Sequence, residues 1–248
     1  MGRATFPFAF PLDTETIQKK RAIILTELLS RDSGFCSVPV KSIAASTLSQ
    51  MLELYDDLFL AGCLKRMAIR VTLSSRLTSS AGKFLYIRGM FGRIKQAEIR
   101  MSSDFLLRLN QGPFELNGLS VSTPQEAFLL VFEHELCHAL ETQLYGKTGH
   151  SSRFLALANG LFGHTATRHK LPSRRQEAAQ EGLRVGMHAS FCHKERLLCG
   201  TITYIGKTAT VMVPSACGDY RDQKGNRYDK YRVPLSQLTP KPRSAHRP

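Results

Sequence analysis

The segment His134-Glu135-Leu136-Cys137-His138 sets two imidazoles four residues apart, with a carboxylate beside the first. On a helix that spacing puts both rings on one face, about one turn apart, where they can bind the same divalent ion. A Zn²⁺ there would polarise a carbonyl and lower the pKa of a water toward about 7. Glu135 would take a proton from that water and return it to a leaving amine. A catalytic zinc site uses three protein ligands and keeps one position open. His150 is the third candidate, beyond a Gly-containing loop at the start of the next helical segment. Glu141 lies three residues past His138 on the same helix, too close to complete a tetrahedron. Two surface histidines would explain the motif poorly. The flanking Phe132, Leu136, Ala139 and Leu140 indicate burial, and a buried His-Glu-His trio is costly without a metal or partner.

These residues need two helices to hold them. Thr123-Pro124-Gln125-Glu126 is a capping box with proline at the first helical position, which predicts a helix running to about Tyr145, before Gly146. His150-Ser151-Ser152 opens a second, with Phe154, Leu155, Leu157, Ala158, Leu161 and Phe162 as its apolar stripe and Gly163 as its stop. Upstream, the periodicity predicts helices over 14–30, capped by Thr14, and over 46–63, with Gly62 as the stop. Strands are predicted over 67–73, 83–88 and 96–101, a short helical turn over 102–109 and a loop over 110–122. Downstream, the polar run 172–180 reads as a linker. Strands are predicted over 184–192, 197–204, 208–214 and 227–233, and the proline-containing tail 239–248 reads as mobile.

Charge constrains the partners. The 248 residues carry 34 Lys+Arg against 20 Asp+Glu, a formal net charge of +14, which favours a polyanion such as nucleic acid. Residues 1–171 hold 20 cations against 14 acids and residues 172–248 hold 14 against 6, so the last third is the more basic per residue. Lys83, Arg88, Arg93, Lys95 and Arg100 read either as a basic strip or as a solvated sheet edge. In the last third, Lys207, Arg221, Lys224, Arg227, Tyr228, Lys230, Tyr231 and Arg232 interleave charge with aromatics, which suits phosphate contact plus base stacking. Six cysteines without a CxxC pair suit reduced thiols, and Cys137 reads as a packing residue. The first residues lack an apolar signal core, and no apolar run approaches a membrane span. The expectation is an intracellular monomer, in the cytoplasm, nucleoid or nucleus, with no membrane partner. His164 and His169 read as hydrogen-bonded structural residues, with His164 as the fallback third ligand.

Six segments in order resemble the SprT-like (Spartan-type) zinc metallopeptidase family. They are Leu54–Phe59 with Gly62-Cys63-Leu64; Ser75–Gly82, similar to its Leu-Thr-x-x-Ala-Gly signature; Glu98–Ser102; His134–Ala139; Gly149-His150 with Phe154; and Phe162–Thr165 with Arg168-His169. The resemblance implies a zincin-like α+β domain, with a small sheet against the metal-bearing helix, that hydrolyses peptide bonds. For Spartan-type members it also implies action on proteins trapped on DNA. The chain departs from members that end in a zinc ribbon, because Cys192, Cys199 and Cys217 lack paired spacing. Instead, Val185–His188, Gly200–Val211 and Tyr231–Pro234 resemble a small Src-homology-3-like β-barrel.

The expected organisation is therefore a helical extension over 1–45, the metallopeptidase domain over 46–171, a linker over 172–180, a basic β-barrel over 181–238 and a flexible tail over 239–248. The expected function is a zinc metalloendopeptidase with His134, His138 and His150 as ligands and Glu135 as base. It would act on polypeptides, with DNA as a further partner through the basic C-terminal region. The alternative is a nucleic-acid-binding adaptor with a non-catalytic zinc site.

Overall fold

A computed structural model describes residues 6–90, 93–109, 112–167 and 173–241. The chain divides into two units, Met1–Leu171 and Pro172–Pro248.

The first unit begins with helix α1 (Thr14–Arg31). Its cap is Asp13 rather than Thr14: the Asp13 carboxylate accepts from the Thr16 N–H at 2.8 Å, a job the residue before the first helical turn does best. A single turn, α2 (Ser33–Cys36), and helix α3 (Ala45–Leu60) follow. Left-handed Ala61 and Gly62 end α3, Gly62 being the expected stop. Strands β1 (Ile69–Ser74), β2 (Gly82–Arg88) and β3 (Ile94–Ser102) form a sheet of order β1-β3-β2. β1 runs parallel to β3, and β2 antiparallel to it. β2 is thus an edge strand, and it packs against the central helix.

After the turn α4 (Ser103–Leu106), the expected loop over 110–122 proves to contain a hairpin of β4 (Phe114–Leu116) and β5 (Leu119–Val121). Asn117 (φ 53°) and Gly118 (φ 81°) make its two-residue turn. An Asn-Gly pair suits the left-handed backbone of such turns, and it is the signal the loop assignment passed over. Fully buried Leu116 ties the hairpin to the core.

Helix α5 (Pro124–Tyr145) has both halves of the Thr123/Glu126 capping box and ends at left-handed Gly146. It is buried on most sides, as its flanks suggested. Helix α6 (Ser152–Phe162) is capped by Ser151 and stops at Gly163. Tyr55, Phe59, Phe132 and Phe162 stack together between α3, α5 and α6.

The second unit has its own small core. Residues 174–180 are not a free linker but helix α7 (Arg174–Gln180), held by a Ser173/Gln176 capping box and anchored by buried Ala178. The strands are β6 (His188–His193), β7 (Arg196–Ile205), β8 (Thr208–Pro214), β9 (Tyr220–Arg221), β10 (Arg227–Pro234) and β11 (Thr239–Lys241). The ladder order is β11-β6-β7-β8-β10-β9, antiparallel throughout. Among the described residues β11 and β9 do not pair, so these strands form a six-stranded sheet with two edges. The start of the expected mobile tail is β11, whose Thr239, Pro240 and Lys241 register with Ser190, Ala189 and His188. The rest of that tail, 242–248, lies outside the described residues. Ala209, Val211 and Val213 alternate inward along β8, the two-residue period of a half-buried strand.

The molecule is mixed α and β, with small sheets and several helices. None of its cysteines is disulfide-bonded. Among the described residues no helix is long and apolar enough to cross a membrane.

Candidate metal centre

His134 and His138 project from one face of α5, and His150 arrives from the loop before α6. His150 Nε2 lies 3.0 Å from His134 Nε2 and 3.2 Å from His138 Nε2. These three are the one group of metal-capable side chains found among the described residues. Two nitrogens bound at about 2.0–2.1 Å around a tetrahedral ion sit about 3.3 Å apart, close to these separations. A single nitrogen on His150 faces both partners, so one proton can bridge to only one of them. Three ring nitrogens converging in this way form a donor set that fits a divalent ion.

Several side chains hold the rings. Phe154, fully buried, packs its ring 4.9, 4.4 and 5.2 Å from the centroids of His134, His138 and His150. The Thr148 hydroxyl meets His138 Nδ1 at 2.7 Å, which directs Nε2 toward the other two rings. Burial, and secondarily His150, push the His138 imidazole down to about 4, so at neutral pH its lone pair is available. Glu141 does not reach the trio. It is buried and accepts from the Gly149 N–H at 3.0 Å, anchoring the loop that carries His150.

Glu135 is 6% exposed and faces the same cleft. Burial pushes its carboxyl up to about 8, against the opposing pull of the Phe84 N–H. A cation beside it favours the carboxylate form. Gly82 makes room for it: a Cβ on Gly82 would lie 2.7 Å from Glu135 Cγ and 2.8 Å from Oε1. The cleft, 530 Å³ in volume, is walled by Leu77, Phe84 and Val131 and flanked by edge strand β2.

Next to His134 in sequence, Glu133 points the other way into the core. Arg21 grips it through two bonds of 2.8 Å, the Tyr55 hydroxyl donates at 2.7 Å, and His164 Nε2 lies 2.9 Å away. Burial favours protonation of Glu133, but Arg21 and His164 outweigh it and hold the carboxyl below its usual range. His164, fully buried in this cluster, is part of the scaffold and not of the histidine trio. Cys137 is fully buried on the core side of α5, and burial pushes its thiol up. His169 and Arg168 lie outside the described residues.

A family model of the SprT-like family matches residues 48–173. This chain belongs to the SprT-like family. No curated protein and no solved structure matched the chain in the same comparisons. The family segment contains the histidine trio, Glu135 and Gly82, and in this SprT-like protein α1 lies before it yet supplies Arg21 to the core. Reading the sequence found the trio and Glu135. It assigned no role to Gly82, Thr148, Glu133 or Arg21, and considered Glu141 only as a ligand. A buried acid one residue before the first histidine was the available signal for Glu133.

Proposed function

We propose that this SprT-like protein is a zinc-dependent endopeptidase that cleaves extended polypeptides, including proteins held on DNA. The observation that carries the reading is the convergence of three imidazole nitrogens beside the buried carboxylate of Glu135 in an open cleft. His134, His138 and His150 would hold the ion. Zinc bound there would supply Lewis-acid polarisation of the scissile carbonyl and of the attacking water. Glu135 takes the proton from that water and delivers it to the departing amine. Strand β2 pairs with β3 on one side, and its other edge borders the cleft, so a substrate strand can align by main-chain hydrogen bonds. We read the first unit as zincin-like and the second as a Src-homology-3-like module. Exposed Tyr204 and Tyr220, with Lys230 over the Tyr220 ring at 5.2 Å, suit contact with nucleic acid.

The test is digestion of casein and histone by the wild type and Glu135→Gln, with and without DNA, alongside metal analysis. The reading expects about one zinc per chain, cleavage abolished by chelation, and a loss of at least about 100-fold in Glu135→Gln. Equal cleavage by both proteins removes the mechanism. Bound zinc without cleavage by either favours the adaptor alternative.

A further inference from the structure

The hydrogen-bond ladder of β2 fixes how a substrate strand can lie against it. The Ser102 N–H donates to the Ala81 carbonyl at 2.8 Å, so these two residues form a bonded rung of the β2–β3 ladder. In an antiparallel ladder bonded and non-bonded pairs alternate. Counting on through the register, Lys83 opposite Arg100 and Leu85 opposite Glu98 are bonded pairs. Gly82 and Phe84 lie between them and turn their N–H and C=O groups to the open edge. The Phe84 N–H accordingly faces Glu135.

Side chains alternate as well. Gly82 and Phe84 face α5: a Cβ on Gly82 would strike Glu135, and the Phe84 ring packs with Ala139. Lys83 therefore points to the other face of the strand, at the rim of the cleft that it lines. Among the described residues lining that cleft, Lys83 is the one lysine or arginine and Glu135 the one acid. Lys83 is exposed and forms no ion pair among the described residues. Arg100, its neighbour across the ladder, is held by the Glu98 carboxylate at 2.7 Å. Lys83 thus has a like charge on one side and the open edge on the other. Like charges directly opposite are unfavourable, and an acid at the open edge would offset them.

We propose that Lys83 is a specificity-determining residue that selects an acidic side chain at one position of the substrate. A chain lying antiparallel to β2 bonds to Gly82 and Phe84. That makes Lys83 and the substrate residue facing it a non-bonded pair, the type that brings side chains closest, with Cα atoms about 4.5 Å apart. The residues on either side of that acid turn toward the wall of Leu77, Phe84 and Val131. The favoured substrate is an extended segment with an acid between apolar residues. This selectivity deepens the peptidase reading, on which it rests.

The experiment uses the full-length, zinc-loaded protein and quenched fluorogenic peptides of one apolar sequence, with Glu or Lys placed at each position in turn. At one position the Glu peptide should exceed the Lys peptide in kcat/KM by about 2- to 5-fold, the range of a cross-strand charge pair. Lys83→Glu should reverse the preference at that position, and Lys83→Met should remove it. Lys41→Glu, the same charge change at an exposed site outside the cleft lining, should keep it. Equal rates for Glu and Lys at every position overturn the proposal. So does a preference that survives Lys83→Glu, or one that Lys41→Glu alters as much. Anisotropy of the labelled peptides on Glu135→Gln, with and without Lys83→Glu, reads the preference without cleavage. If that binding preference is present but the wild type cleaves nothing, Lys83 keeps its role and the peptidase reading fails. Cleavage without any charge preference does the reverse.

Discussion

The guanidinium of Arg21 meets the carboxylate of Glu133 through two hydrogen bonds of 2.8 Å across a sequence separation of 112 residues. The Glu133 side chain has no solvent exposure. Removing the cation leaves a buried carboxylate with Tyr55 and His164 as its remaining side-chain partners among the described residues. Arg21→Ala should cost about 3–5 kcal/mol of stability by denaturant unfolding. Arg21→Lys should fall between, since an ammonium cannot reproduce the two-pronged contact. A loss below about 1 kcal/mol for Arg21→Ala, the range of exposed pairs, would show that this pair contributes little and that α1 is held by buried Ile17, Ile24 and Leu28 instead.

Gly82 is required by the position of Glu135 rather than by a turn. Gly82→Ala places a methyl carbon where the Glu135 carboxylate sits. The expected outcome is a fall in kcat of at least about 10-fold with unchanged zinc content, because a small misplacement of a catalytic group is expensive. A variant with wild-type kcat would mean that Glu135 works from another rotamer.

Thr148 sets the ring of His138. Thr148→Val keeps the shape and removes the hydroxyl 2.7 Å from Nδ1. Zinc affinity in a competing-chelator titration should drop by about 10–100-fold, the range for lost outer partners of metal-bound histidines. An unchanged affinity would show that Phe154 packing alone orients the ring.

Asp32 provides a pH-dependent fastening for α1, α2 and α3. Burial pushes its carboxyl up, but the Ala44 N–H, the Thr47 hydroxyl and the Phe35 N–H outweigh this and hold it below its usual range. A depressed folded value stabilises the protein above the unfolded pKa, about 3.9, and the contribution disappears as pH falls through the folded value. Asp32→Asn should therefore be less stable at pH 7 by about 1–3 kcal/mol. The gap between variant and wild type should shrink in melts taken at about pH 3. A gap of constant size across that range would assign the effect to packing.

Local chemistry made much of this legible. The capping box at Thr123, the glycine stops at Gly146 and Gly163, and the four-residue histidine spacing are rules of a single helix, and α5 and α6 follow them. The Asn117-Gly118 turn was equally local and simply passed over. The Ser173/Gln176 box was obscured by the polarity of its surroundings, which suits a linker as well as a half-exposed helix.

The amino-acid order by itself determined which groups could do chemistry: the trio, the adjacent acid, and the surplus of Lys and Arg. It did so because residue type and helical spacing are short-range properties. Only the tertiary structure decided that Arg21 closes on Glu133, that Glu141 serves a loop rather than a metal, that Gly82 is space for Glu135, and that Arg70, Lys83 and Arg100 share one face of a sheet. Each of these depends on which distant segments share a core or a strand register. Buried charge must find its counter-ion wherever the chain brings one, and no spacing in the sequence records that meeting.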